Sequence, residues 1–101
     1  MQFSTLVCVF SLTATTLADL HYNALCVDET DSGNVYNDAA TVQACEWYYL
    51  RNKGDDWWNT CPDCVMITDG SPHCNSAAQH IGGDEITYYC QLAGADNALT
   101  S

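Results

Sequence analysis

Positive charge is nearly absent from this chain. Its 101 residues hold two Lys or Arg against thirteen Asp or Glu, a formal net charge of −11. Nucleic acid is excluded as a partner by that balance, because its phosphates are met by clustered Lys and Arg. Anionic membrane surfaces are excluded on the same ground. Beyond residue 18 the chain also lacks any apolar run of the roughly 20 residues that a spanning helix needs. No membrane partner is expected. Proline is limited to Pro62 and Pro72. Catalytic signatures are missing as well: there is no G-x-S-x-G and no H-E-x-x-H. Glu46 or Glu85 with an Asp offers carboxylates, but no spacing singles out a pair of the kind glycosidases use. The reading is therefore of a protein that is not an enzyme and takes no cofactor.

What is present begins with MQFSTLVCVFSLTATTLA, residues 1–18. Phe3 to Leu17 carries no charge, and Thr16 and Ala18 supply small residues for cleavage after Ala18. That pattern predicts a secretory signal peptide, although its first residues lack the usual Lys or Arg. Residues 19–101 then form one small secreted, extracellular domain. Cleavage removes Cys8 and leaves Cys26, Cys45, Cys61, Cys64, Cys74 and Cys90. An even count in a short exported chain predicts a disulfide framework whose pairing is not legible from sequence. The need for it is energetic. A domain this small buries too little apolar surface to offset roughly 1.5 kcal/mol of ordering entropy per residue. The thirteen acids all follow residue 18 and are scattered, which fits a solvated, self-repelling surface.

Along the mature chain, LHYNALCV (20–27) is expected to be a strand with Tyr22, Ala24 and Cys26 on one face. DETDSGNVYND (28–38) is expected to be a loop. It has offsets of a calcium loop, but Ala39 stands where a bidentate Glu is needed, which rejects that site. Residues 39–52 are the best helix, capped by Asp38, stopped near Gly54, and turned so that Val42, Cys45 and Tyr49 face the core. Arg51 and Lys53 sit at its carboxyl end, where they would complement the helix dipole. Val65–Thr68 is expected to be a short strand. Residues 73–83 are ambiguous, with His73 and His80 read as polar loop residues and His21 as a strand-face residue. EITYYCQL (85–92) alternates with period 2, predicting a strand, with a helix stopped by Gly94 as the competing reading. The tail ADNALTS is expected to fray.

The stretch DDWWNTCPDC (55–64) raises the chemical question. A redox CxxC needs a lowered thiol pKa and normally a βαβ scaffold, whereas Asp55, Asp56 and Asp63 would raise a thiol. A zinc site assembled from Cys61, Cys64, Cys74, His73 and His80 competes with oxidation in an exported protein, so no metal is expected. The reading left is structural: Cys61 and Cys64 each bond to a different distant cysteine. Trp57 and Trp58, adjacent in extended chain, would then point oppositely, one inward and one outward. With Trp47, Tyr48 and Tyr49 they form an aromatic group read first as core packing and second as a binding face, for which Trp57, Trp58 and Tyr48 are the candidate residues.

LCV soon after the cleavage site, YNDAATVQAC, the middle cysteine group and IGGDEITYYC occur together over most of the mature chain. In these features the sequence resembles the small secreted cysteine-rich proteins of filamentous fungi, many of them candidate effectors or elicitors. The resemblance implies a small disulfide-held domain that acts outside the cell by binding, and it assigns no functional residue. The expected architecture is α+β, one helix on an antiparallel sheet. The expected partner is an extracellular host protein or glycan, the latter met by exposed aromatics in the manner of a cell-wall-binding module.

Overall fold

The structure is a computed structural model that describes residues 20–101. The expected signal peptide, residues 1–18 with Cys8, lies outside the described residues. The elements in chain order are β1 (Leu20–His21), β2 (Asn23–Thr30), β3 (Gly33–Tyr36), α1 (Asp38–Leu50), a 3-10 turn (Trp57–Asn59), β4 (Val65–Ile67), β5 (His73–Asn75), β6 (Ile81–Gly82), α2 (Gly83–Leu92) and β7 (Asn97–Thr100). The fold is α+β and disulfide-rich, and every strand pair is antiparallel. The described residues hold two helices where the sequence suggested one.

β2 organises the larger sheet, whose order is β3-β2-β5-β4 with β7 on β2 as well. Ala24 and Cys26, two apart and so on one face, join the buried cluster. Tyr22, expected beside them, is exposed. The strand runs on through Thr30, into the stretch read as a loop, because Asp31 and Ser32 form a two-residue turn into β3. Gly33 closes that turn at φ 116°, a value that favours glycine. The tail does not fray. β7 pairs with residues 24–27, and the Ser101 carbonyl accepts from the amides of Tyr22 and Asn23.

α1 differs from its sequence reading in cap, end and rotation. Asn37, not Asp38, is the N-cap; its side chain accepts from the Ala40 amide at 3.0 Å. The helix ends at Leu50, before Gly54. Its buried face is Ala40, Thr41, Ala44, Cys45 and Tyr48, while Val42 and Tyr49 are exposed. The alanines at 40 and 44 put small side chains on the face that packs against the sheet. Thr41 then links the two layers: its Oγ1 donates to the Asn37 carbonyl and accepts from the Cys26 amide at 2.9 Å.

Residues 85–92 fall within helix α2, not a strand. The i, i+3, i+4 set Ile86, Tyr89 and Cys90 is buried, whereas Tyr88 and Leu92, which period 2 would have placed with Ile86, are exposed. Gly94 at φ 99° follows the helix end, as the competing reading required.

Among the described residues three disulfides cross-link the interior: Cys26–Cys90, Cys45–Cys74 and Cys61–Cys64. The first ties the central strand to α2 and the second ties α1 to β5. The third corrects the expectation that Cys61 and Cys64 reach distant partners. Cys61-Pro62-Asp63-Cys64 is a tight turn in which the Cys64 amide donates to the Cys61 carbonyl at 3.1 Å. Proline presets the dihedral such a turn needs at its second position. The two Cα atoms then stand 5.3 Å apart, within bridging reach. No helix among the described residues is long and apolar enough to cross a membrane.

Candidate functional site

The CPDC turn is linked through Asp63 and the backbone of Ala78 to an exposed aromatic ring. Trp57 opens the 3-10 turn and is 51% exposed. Its ring stacks on the imidazole of His80, with centroids 4.0 Å apart and planes 13° from parallel. Two hydrogen bonds hold the pair. The indole Nε1–H donates to the Ala78 carbonyl at 3.0 Å, and His80 Nδ1 lies 2.7 Å from the Trp57 carbonyl. A carbonyl only accepts, so Nδ1 carries the proton. His80 is itself buried.

Asp63 braces this arrangement from below. Its carboxylate accepts from Ser76 Oγ at 2.6 Å and from the Ala78 amide at 2.8 Å. Ser76 Oγ in turn accepts from the His80 amide at 2.9 Å. Burial pushes the Asp63 carboxyl up, but the bonds from Ser76 and Ala78 and the nearby His80 outweigh it, and the net shift is downward. The chain from Cys61–Cys64 through Asp63 and residues 76–80 therefore fixes the ring of Trp57 in one orientation.

Ser76, His80 and Asp63 are the residue types of a hydrolytic triad, yet they are not arranged as one. The serine donates to the aspartate and not to the imidazole, and the imidazole faces the Trp57 carbonyl. Ser76 is fully buried. The nucleophile-to-base hydrogen bond that activates a serine is missing from this cluster.

The other two candidate residues have different places. Trp58 is half-buried; in the 3-10 turn, not in extended chain, it packs near Gly82, where an added Cβ would meet the Trp58 Cβ at 3.0 Å. Tyr48 is fully buried, which is the core-packing reading of the aromatic group and removes this residue as a binding candidate. Its hydroxyl lies 2.7 Å from the Trp58 carbonyl and 3.1 Å from the His80 carbonyl, and it accepts from the Gly82 amide at 3.0 Å. Burial pushes its pKa up to about 12. Tyr48 thus supports both segments that flank the platform without touching solvent.

The two cations were read as dipole partners of α1. Arg51 lies just past the helix, and its guanidinium instead donates to Tyr89 Oη at 3.3 Å and Asn59 Oδ1 at 3.4 Å, 5.7 Å from the centre of the Tyr89 ring. Arg51 and Lys53 share a groove of about 460 Å³ with Asp84, Glu85, Tyr88 and Tyr89. Acids on the same wall offset the positive charge there. The sulfurs of Cys45, Cys64 and Cys74 lie within 4.8 Å of one another, but each is in a disulfide, so none is a thiolate ligand. His73 and His80 are outside that cluster; His73 Nδ1 lies 2.9 Å from the Ser71 carbonyl.

Sequence reasoning named Trp57 as a candidate and did not connect it to Asp63 and His80, which support its ring. The available signal was the acid inside CPDC, which was weighed only for its effect on a thiol. No curated protein and no solved structure matches the chain. A family model described as Biotrophy-associated secreted protein 4 matches residues 19–98, a span that contains all six bridged cysteines and the whole platform. The chain belongs to the biotrophy-associated secreted protein 4 family.

Proposed function

We propose that this secreted protein is an effector of a biotrophic interaction, binding an extracellular host protein through the face around Trp57 and catalysing no reaction. The observation that carries the reading is the ring of Trp57, half exposed yet already held by a stack and two hydrogen bonds. An aromatic fixed before contact loses little freedom on binding, which is how preorganised anchors gain affinity. Its N–H is used internally, so what it offers a partner is an apolar face. The net charge of −11 favours a partner with a basic rim around an apolar pocket. The family's association with biotrophy supplies the setting. Noncatalytic action is supported by the Ser76–Asp63–His80 geometry, which lacks an activated nucleophile.

Glycan binding is the second reading, favoured by the same free indole face, which suits stacking on a sugar ring. The test compares wild type with Trp57→Ala and with Val35→Ala, a control at another exposed apolar position. Each is used for pulldown from host extracellular fluid and from insoluble wall polysaccharide. A host protein retained by wild type and by Val35→Ala but reduced about tenfold or more by Trp57→Ala supports the proposal. Retention on polysaccharide alone, with the same Trp57 dependence, replaces it with the glycan reading. Retention indifferent to Trp57 overturns both.

A further inference from the structure

The third disulfide lies against the second. Cys64 Sγ is within 4.8 Å of both sulfurs of the Cys45–Cys74 bridge, and all three residues are buried. Cys64 is the most accessible of the four cysteines in these two bridges, at 8% against 0% for Cys61, 1% for Cys74 and 3% for Cys45. Its partner Cys61 has a different neighbour: Asp63 Oδ1 stands 3.8 Å from Cys61 Sγ.

We infer that Cys61–Cys64 is a thiol–disulfide exchange site: after reduction by an external thiol, the Cys64 thiolate attacks the Cys45–Cys74 bridge and moves the pairing.

An external thiolate attacks the sulfur of Cys64, the less deeply buried residue of the pair; the Cys61–Cys64 bond breaks, and Cys61 leaves with the electron pair and takes a proton. A second external thiolate attacks the external sulfur of the mixed disulfide and releases Cys64 as a thiolate. Two thiols are oxidised to one external disulfide, and the protein gains two electrons. Cys64 then bonds to Cys45 or Cys74, and the displaced sulfur leaves with its electron pair and takes a proton. This last step neither oxidises nor reduces the protein. Exchange of this kind depends on the thiolate fraction of the attacker and on its access to the bridge attacked.

Asp63 sets which thiol reacts. Its carboxylate is favoured as the anion by its bonds to Ser76 and Ala78. The carboxylate beside Cys61 slows its departure as a thiolate but accepts the new S–H once it has left, which holds Cys61 as the thiol. Cys64, placed against the neighbouring bridge, carries the negative charge and attacks. The new link ties the turn under Trp57 directly to α1 or β5. The inference stands independently of the binding proposal, since it concerns only the sulfur cluster.

The experiment treats the intact protein with reduced glutathione, quenches in acid and alkylates the free thiols with N-ethylmaleimide. Molecules carrying two labels are then mapped by peptide mass spectrometry. The expected result is label on Cys61 together with Cys45 or Cys74, beside the first product labelled on Cys61 and Cys64. Label confined to Cys61 and Cys64 overturns the inference. Cys61→Ser, which leaves Cys64 without its partner, gives an independent arm: a Cys64 link to Cys45 or Cys74 is expected, with matching loss of the Cys45–Cys74 peptide. An unchanged Cys45–Cys74 link in folded Cys61→Ser also overturns it. Should that variant fail to fold, the glutathione arm on the wild-type chain decides.

Discussion

The Tyr48 hydroxyl meets backbone groups of Trp58, His80 and Gly82, all close to the Trp57 platform. Tyr48→Phe keeps the ring in the core and strands those groups, so a loss of about 1–3 kcal/mol is expected from urea midpoints, with the fold retained. Tyr48 also sets an alkaline limit. Its folded pKa, about 12, lies above the ordinary value of 10.0, so its contribution is complete below pH 10 and lost as pH rises from 10 toward 12. Tyr36, also shifted upward by burial and by Asp38, adds in the same direction. Stability measured between pH 9 and 12 should fall, and fall less steeply in Tyr48→Phe. Asp63 acts at the other end. Its folded pKa is below 3.8, so its contribution is present above that value and disappears as pH falls through the folded one. Asp63→Ala releases the Ser76 and Ala78 donors, and the expected outcome is greater mobility of the Trp57 ring, read as lowered steady-state fluorescence anisotropy. Neither role was legible in sequence. Tyr48 belonged to an aromatic run, Trp47-Tyr48-Tyr49, in which only the helix phase separates core from surface.

That phase is a property of the element, and it explains the main misreading. Val42, Cys45 and Tyr49 make a stripe by hydropathy, but the chain buries the neighbouring one, which contains Ala40, Thr41 and Ala44. Hydropathy gives small residues little weight, yet close packing against β2 and β5 selects for them. Ala44 is fully buried and Val42 exposed. Ala44→Leu is therefore expected to cost about 1–3 kcal/mol by overpacking, and Val42→Ala to stay within about 0.5 kcal/mol. Equal effects in a denaturation comparison would restore the rotation read from sequence. In α2, Ile86, Tyr88, Cys90 and Leu92 fit period 2 while Ile86, Tyr89 and Cys90 fit a helix. Nothing local separates the two patterns. The flanking signal did: Gly94 marks a helix end, and Asp84 and Glu85 enrich its first turn. β7 was invisible for another reason. NALT becomes a strand by pairing with β2, a tertiary contact between residues some seventy positions apart.

Across the whole molecule the bridges are expected to supply much of the stability, and here the sequence was informative about the number of cysteines but silent about their pairing. The bridges span sequence separations of 64, 29 and 3. Loop-closure entropy makes the first two worth on the order of 4 kcal/mol each, taken singly, against about 2 kcal/mol for Cys61–Cys64. Replacing Cys26 and Cys90 together by Ala is expected to leave the domain largely unfolded by circular dichroism. Replacing Cys61 and Cys64 should leave it folded with a lower Tm. The ranking follows from how much chain each bridge restrains, and the shortest one holds the turn under Trp57. The platform, its brace and the exchange site all presuppose the same three links. The most direct test is a disulfide map of the unreduced, natively secreted protein by mass spectrometry of its proteolytic peptides. Links joining Cys26 to Cys90, Cys45 to Cys74 and Cys61 to Cys64, with none of the six free, are the predicted result. A link from Cys61 or Cys64 to any other cysteine in material never exposed to reductant would contradict the account.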